Sequence, residues 1–300
     1  MKTIHHTHCP VCGKPELAPF LTCRDYLVSG KEFELFRCEE CGFVLTQDAP
    51  DAASIGEFYK SEKYVAHSDT KQGLVNRLFH SVRDLMLSQK QRMIERSFGK
   101  TPGRLLDYGC GTGYFLNFMQ SHGWTVEGVE PGKEAAQFAR DSFGLTIHKP
   151  EELYGFKDET FDVITLWHVL EHVHDLKGIL LQFKKILKPG GRLVIALPNL
   201  NSLDARIYKE HWAAYDVPRH LWHFAPDTFE QFAGSSGFSL ERMRRLPFDS
   251  FYVSMLSESN QHHKLAFLRG GFVGKLSWIR SWFGVKSCSS VVYILQKHHE

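Results

Sequence analysis

The chain is predicted to fold as an open, mostly parallel α/β sheet preceded by a small cysteine module. Three observations predict this. A short apolar strand, Arg104-Leu105-Leu106-Asp107-Tyr108, enters a glycine turn, Gly109-Cys110-Gly111-Thr112-Gly113, and then a helix from near Tyr114. A second strand, Thr125-Val126-Glu127-Gly128-Val129, follows that helix and ends at Glu130. Two Cys-x-x-Cys-Gly pairs stand ahead of both strands.

The 300 residues suffice for one large domain and one small one, and a 43% hydrophobic content suits a globular chain with a sizeable core. The formal net charge of +2 excludes a strong global field toward nucleic acid. Partial protonation of the histidines would add positive charge below neutrality. No apolar run approaches the roughly 20 residues of a membrane span. Met1 to Cys12 lacks the apolar stretch of a secretory signal, so a cytoplasmic location is expected.

Cys9-Pro-Val-Cys12-Gly and Cys38-Glu-Glu-Cys41-Gly are separated by 25 residues. Two thiolates at this spacing fit adjacent corners of a metal tetrahedron, and the glycine after each pair lets the chain turn back. Cys9, Cys12, Cys38 and Cys41 are therefore the expected ligands of a structural zinc ion in a zinc-ribbon-like module. Four cysteines leave no open coordination position for catalysis. Metal-free thiols or a redox pair are the alternative. The run Glu32 to Arg37 alternates as a strand entering the second turn. Cys23, Cys110 and Cys288 are expected to be packing residues. His5, His6 and His8 near the start, with His298 and His299 at the end, are expected in disordered polar termini.

Asp48 to Ser54 reads as a link, followed by Phe58-Tyr59-Lys60-Ser61-Glu62-Lys63-Tyr64. Between about Gly73 and Phe98, apolar residues at Leu74, Leu78, Val82, Leu85, Met86, Met93 and Ile94 predict an amphipathic helix. The expected divisions are a cysteine module over 1–48, a linker and helical cap over 49–100, and an α/β domain over 101–300. The last has insertions at 200–225 and 250–285.

The stretch Leu105 to Gly113, with an acid just before its glycines, resembles the first motif of the class I methyltransferases that use S-adenosylmethionine. Glu130 matches that family's ribose-binding acid, and its position at the tip of the second strand suits both ribose hydroxyls. The likeness continues through Thr160 to Leu166 as fourth strand and Ile186 to Ala196 as helix, turn and fifth strand. It covers roughly Gly103 to Gln296. It implies a seven-stranded, mostly parallel Rossmann-like sheet with an antiparallel last strand, formed by Ser239 to Arg245 and Ser289 to Gln296 as strands six and seven. It also implies S-adenosylmethionine as methyl donor and S-adenosylhomocysteine as product. Asp107, Gly109, Cys110, Gly111, Gly113, Glu130, Trp167 and His168 are the implied cofactor-binding residues. The relatives' adenine-binding acid has no clear equivalent; His148-Lys149 stands there, with Glu151 and Glu152 nearby.

Ligands of open α/β sheets bind outside the carboxyl ends of the strands. After strand four lie His168, Glu171 and His172; on a helix the two histidines would share a face. A histidine suits proton removal near neutral pH, so His172, Glu171 and His220 are the catalytic candidates. Helix capping by Glu171 and His172 is the alternative, and a His-x-x-x-His metal pair lacks an evident third ligand. After strand five, His211 to Phe224 is aromatic and basic, and resembles the Pro-Arg-His-Leu-x-His-Phe stretch of one branch of these enzymes. Arg219 or His220 is expected to bind a substrate oxygen or phosphate, or else the segment is a packed loop. A helix is expected from Thr228 to Gly237. Phe267 to Phe283 is aromatic, basic and free of acids. Peripheral membrane contact through 265–285, packing on its own domain and packing on a second subunit are all open.

The function expected from these readings is methylation of a small-molecule acceptor, a sugar or cell-envelope intermediate among the options. A four-cysteine module ahead of such a core also resembles bacterial methyltransferases acting on nucleotide-linked sugars or envelope intermediates. Ubiquinone-type O-methyltransferases share the core and the Leu-Glu-His run. The runner-up is an RNA methyltransferase gripping RNA with its zinc module, which the balanced charge disfavours. A non-catalytic sensor of S-adenosylmethionine is the third option.

Overall fold

A computed structural model describes the backbone of residues 2–60, 74–99, 101–246 and 248–298, with side chains omitted for 74–82. The expectations on 61–64, on the side chains of Leu74, Leu78 and Val82, and on His299 lie outside the described residues.

The chain starts with β1 (Thr3–Ile4), β2 (Leu17–Arg24), β3 (Glu32–Cys38), β4 (Val44–Thr46) and β5 (Ala49–Pro50). β3 alternates as expected, burying Phe33 and Leu35 and exposing Glu32 and Glu34. β2, β3 and β4 form an antiparallel sheet whose fourth strand is Trp222–His223, from the aromatic segment some 170 residues on. β1 pairs with β5, so the Asp48–Ser54 stretch is partly strand and not a bare link. The N-terminal histidines are ordered, contrary to expectation. His5 Nδ1 lies 2.9 Å from Asp48 Oδ1, and His6 N–H donates to Gln47 Oε1 at 2.9 Å.

A long helix, α1 (Leu74–Phe98), leads into β6 (Arg104–Tyr108), α2 (Tyr114–Ser121), β7 (Thr125–Val129), α3 (Lys133–Phe143) and β8 (Ile147–His148). In α1, Leu87 and Ile94 are buried, whereas Leu85, expected on the same face, is exposed. Two residues separate it from Leu87, or about 200° around a helix, which turns it to the opposite side. β9 (Phe161–Trp167), α4 (Leu176–Ile186), β10 (Leu187–Pro198), α5 (Leu203–Tyr208), β11 (Trp222–His223) and α6 (Pro226–Ser235) follow. α6 starts earlier than expected, because Pro226 occupies its first turn and Ala225 N–H donates to Thr228 Oγ1 at 3.0 Å. β12 (Phe238–Arg245), the helices α7 (Asp249–Asn260) and α8 (Ala266–Arg280), and β13 (Ser290–Lys297) close the fold.

The large sheet has seven strands in the order β12-β13-β10-β9-β6-β7-β8. β10, β9, β6, β7 and β8 run parallel, and β13 is antiparallel to both neighbours. This is the predicted Rossmann-like sheet. Its strands are apolar on both faces: Leu106, Ile164 and Ile195 belong to one core cluster, and Leu105, Val163 and Val194 to another. The order reverses between β6 and β9, the switch point outside whose strand ends ligands of open α/β sheets bind in a crevice. Among the described residues no helix is long and apolar enough to cross a membrane.

The aromatic segment is a buried wall. Trp212, Tyr215, Trp222 and Phe224 are all buried. Arg219, expected to meet substrate, is 1% exposed and fully engaged. Its guanidinium donates to Asp216, to Asp25 Oδ1 at 3.0 Å and to the Phe58 carbonyl at 3.0 Å. It therefore bolts the segment to the N-terminal module. Arg219→Leu leaves two carboxylates without their cation and is expected to cost about 3–5 kcal/mol in urea unfolding. An unchanged midpoint would remove this role.

Candidate active site

The first loop of the crevice follows β6. Gly109 and Gly111 both have positive φ, at 76° and 54°. A Cβ on Gly109 would lie 2.5 Å from Val169 Cγ2, so this glycine serves packing of the opposing loop. A Cβ on Gly111 would meet nothing within 4 Å, so this is where the turn opens to the crevice. Cys110 turns its thiol into the core beside Gly128 and Leu116, and burial pushes it well up. Its side chain is thus a packing group, as expected of this thiol.

Asp107 is 2% exposed at the carboxyl end of β6 and accepts from Thr165 Oγ1 at 2.5 Å. Burial raises its carboxyl to about 7, against the pull of Thr165 and of Lys90 on α1. Burial likewise lowers Lys90 to about 8. The Lys90 ammonium sits 4.1 Å from the Trp167 ring centroid. Glu130 spans two loops: Oε2 accepts from Gly111 N–H at 2.8 Å and Oε1 from Gly132 N–H at 2.7 Å. Burial raises this carboxyl, and those two N–H groups oppose the rise. Each of its oxygens keeps a further lone pair. His148 is bound to Glu127 Oε2 at 2.8 Å, and Glu152 accepts from the Lys149 N–H at 2.6 Å.

After β9 the expected helix does not form. His168 has φ +59°, which breaks the helical run, and only a 3-10 turn follows at Leu170–His172. His168 and His172 therefore do not share a face. His168 Nε2 lies 2.9 Å from Asp249 Oδ2, and its Nδ1 is 3.6 Å from Glu171 Oε1. Burial alone would lower its pKa, but the two carboxylates outweigh it and raise it to about 10. His168 is thus held as a cation and cannot serve as a base near neutrality.

His172 is the opposite case. Burial, and then His220, lower it to about 4. Its Nδ1 lies 3.0 Å from both the Arg219 carbonyl and Tyr59 Oη. A carbonyl only accepts, so Nδ1 carries the proton and Nε2 a lone pair. His220 Nδ1 donates to the Ala214 carbonyl at 2.8 Å, which likewise frees its Nε2. The two rings meet at 4.5 Å. Glu171 is 0% exposed, and neither carboxylate oxygen has a hydrogen-bond partner. Glu171, His172 and His220 each offer a ligand atom within 4.8 Å of the others. His220, named with Glu171 and His172 as a catalytic candidate, thus supplies the third group from the loop after β10.

Asp249, Thr165 and Lys90 are site residues missed in the sequence. Thr165 is a lone hydroxyl in an apolar strand, and Lys90 lies between Leu87 and Ile94 on the buried stripe; both were visible signals. Asp249 lies 81 residues from His168 and carries no local signal.

In the N-terminal module, Cys9 Sγ lies 3.7 Å from Cys41 Sγ and Cys12 Sγ 3.5 Å from Cys38 Sγ. All four sulfurs lie within 4.8 Å of one another. A tetrahedron with Zn–S bonds of about 2.3 Å has sulfur edges of about 3.8 Å, so the residues fit zinc. Both knuckles turn at a glycine with φ near +75°, Gly13 and Gly42, closed by Gly13 N–H to the Cys9 carbonyl and Gly42 N–H to the Cys38 carbonyl.

Residues 78–242 match the family model described as a methyltransferase domain. The human mitochondrial ubiquinone biosynthesis O-methyltransferase is 29% identical over 196 residues, 57% of this chain and 53% of that protein. The ubiquinone biosynthesis O-methyltransferase of Vibrio atlanticus is 31% identical over 132 residues, 41% of this chain and 53% of that one. The chain thus spans about half the length of these curated relatives. A solved geranyl diphosphate methyltransferase in complex with SAM superposes with a TM-score of 0.52 at 14% identity, covering 79% of this chain and 95% of that one, and so shares the fold. Sheet order, glycine loop and matched domain together place the chain in the family of Rossmann-like methyltransferases that depend on S-adenosylmethionine.

Proposed function

We propose that the chain methylates a hydroxyl of a small molecule, with a sugar or cell-envelope intermediate as the acceptor class. The observation that carries this reading is the pair of tautomer-fixed imidazoles, half-buried His172 and buried His220, beside the buried Glu171, whose carboxylate also faces His168. The printed names of the curated relatives, O-methyltransferases of ubiquinone biosynthesis, support a hydroxyl acceptor. The sugar or envelope assignment rests on the four-cysteine module ahead of the core. Residues 1–48 are read as that module, 49–100 as a helical cap and 101–300 as the methyltransferase domain. The RNA reading loses support because the module contributes its sheet to the wall of the domain through β11.

Bound S-adenosylmethionine supplies an electrophilic methyl group. Asp107 is assigned the ammonium of its methionine part, Glu130 the two ribose hydroxyls, and Trp167 with cationic His168 the flank of the crevice. Asp249 positions His168. His172 Nε2 takes the acceptor's hydroxyl proton as the oxygen–carbon bond forms and the sulfur–carbon bond breaks. Ala214 and Arg219 carbonyls hold both histidines in the tautomer this requires. His172→Asn is expected to lower methyl transfer by about 10²–10⁴-fold while leaving cofactor affinity within a factor of a few. Unchanged turnover would remove His172 as the base. The acceptor is tested with radiolabelled donor against a cell extract split into nucleic acid, lipid and small-molecule fractions. Label confined to RNA would overturn the small-molecule reading.

A second reading of the same trio is a divalent-cation site that polarises the acceptor. It is favoured by the two unpartnered Glu171 oxygens and the two free Nε2 lone pairs. Metal analysis separates the readings: a second ion per chain, absent from Glu171→Gln, supports the cation.

A further inference from the structure

We propose that the outward face of α8 and the turn after it form a docking surface for an anionic lipid bilayer. The methyl-acceptor reading above neither requires this nor depends on it.

α7 and α8 pack as a hairpin between β12 and β13. The face of α8 turned to α7 is made of small residues: Gly270, Gly274 and Ser277 are buried, at spacings of four and three. A Cβ on Gly270 would stand 2.5 Å from Met255 Cα, and one on Gly274 2.7 Å from Phe251 Cα. The helices therefore touch backbone to backbone, and no large side chain of α8 fits between them. The large apolar residues point outward instead. Leu268 is 65% exposed, Phe272 64% and Phe283 89%, with Leu276 and Ile279 exposed among them. At about 100° per residue the four within the helix, Leu268, Phe272, Leu276 and Ile279, fall in a sector roughly 80° wide, opposite the glycine stripe; Phe283 stands in the turn that follows, and Phe267, also exposed, lies outside the sector. This is an inversion of the usual surface helix.

The charges around this sector indicate what covers it. Lys275 borders it on one side, and Arg269 and Arg280 on the other. From Lys264 to Lys286 the chain carries five cations and no acid. Arg269 is partly answered by Glu258 at 3.2 Å and Lys286 by Asp227; among the described residues no ion pair to a carboxylate holds Lys264, Lys275 or Arg280. An apolar strip between two cationic borders matches a bilayer whose acyl region takes the strip and whose anionic headgroups meet the borders. Trp282, 64% exposed at the end of the helix, is a residue suited to the headgroup level. α8 has 15 residues, about 22 Å, so it lies in the interface plane and does not cross.

The test is co-sedimentation of the full chain with vesicles of phosphatidylglycerol and phosphatidylcholine, against vesicles of phosphatidylcholine alone. Binding is expected to the anionic vesicles, to weaken in high salt, and to fall about tenfold or more in the Lys275→Glu, Arg280→Glu variant. Leu268→Ser with Phe272→Ser should weaken it comparably while leaving cofactor affinity unchanged and shifting thermal unfolding little, because both side chains are about two-thirds exposed. Equal sedimentation with neutral and anionic vesicles, or none with either, overturns the proposal. So does a dimer in solution that Phe272→Ser dissociates, since a second copy would then cover the face.

Discussion

Asp107→Asn is expected to weaken S-adenosylmethionine binding about 30-fold or more in calorimetry, and to flatten its pH dependence. The magnitude follows from truncating a buried charge pair, about 2–5 kcal/mol, because the ligand's ammonium would be desolvated without a carboxylate to meet it. The pH dependence follows from the environment of the free carboxyl. Burial holds it up at about 7, so below that pH it is mostly protonated. Cofactor selects the ionised form, so affinity should rise with pH toward about 7 and level off above it. Each unit below the midpoint then costs about tenfold in affinity. The Asn variant, lacking this carboxyl, should lose the rise in affinity below about pH 7. A wild-type profile that is flat between about pH 5.5 and 8 would separate Asp107 from cofactor binding.

Cys38→Ser should release the bound metal and loosen a segment far away in sequence. The second knuckle anchors Phe43, Val44 and Leu45 in the core, and a metal held by the four sulfurs would add to the folding free energy there. The four-sulfur cluster lies at the base of the β3–β4 hairpin, since Cys38 ends β3 and its N–H bonds the Phe43 carbonyl. β4 in turn pairs with β11, and Thr46 Oγ1 donates to the His220 carbonyl at 2.7 Å. Loss of the metal should therefore raise amide exchange in residues 38–46 and in 219–224 together, with a stability loss above about 4 kcal/mol. It should also lower methyl transfer through His220 without a matching change in cofactor affinity, because Asp107 and Glu130 stand on other loops. Well under one zinc per chain in the wild type, or protection of 219–224 unchanged in the variant, would uncouple the module from the site.

Much of this protein was legible locally. An apolar strand, a glycine turn and a helix define β6 and its loop because each signal spans a few adjacent residues. The acid at each strand tip and the paired Cys-x-x-Cys-Gly knuckles are equally local. Other assignments turned on contacts between distant segments. Arg219 looked like a substrate-binding cation, yet Asp25 and Asp216 consume it. His168 and His172 looked alike as members of one helix. The positive φ at His168 sends the first toward Asp249 and the second toward His220.

The sequence by itself determined the sheet, the glycine loop after β6 and the gathering of the four cysteines, since each depends on periodicity or spacing within short segments. Only the tertiary structure decided which histidine is cationic and which is neutral, and which face of α8 is left uncovered. Protonation depends on the carboxylates and carbonyls that long-range packing brings within hydrogen-bond reach. Exposure of an apolar stripe depends on whether the opposite face can pack more closely, and at α8 the glycines make that choice.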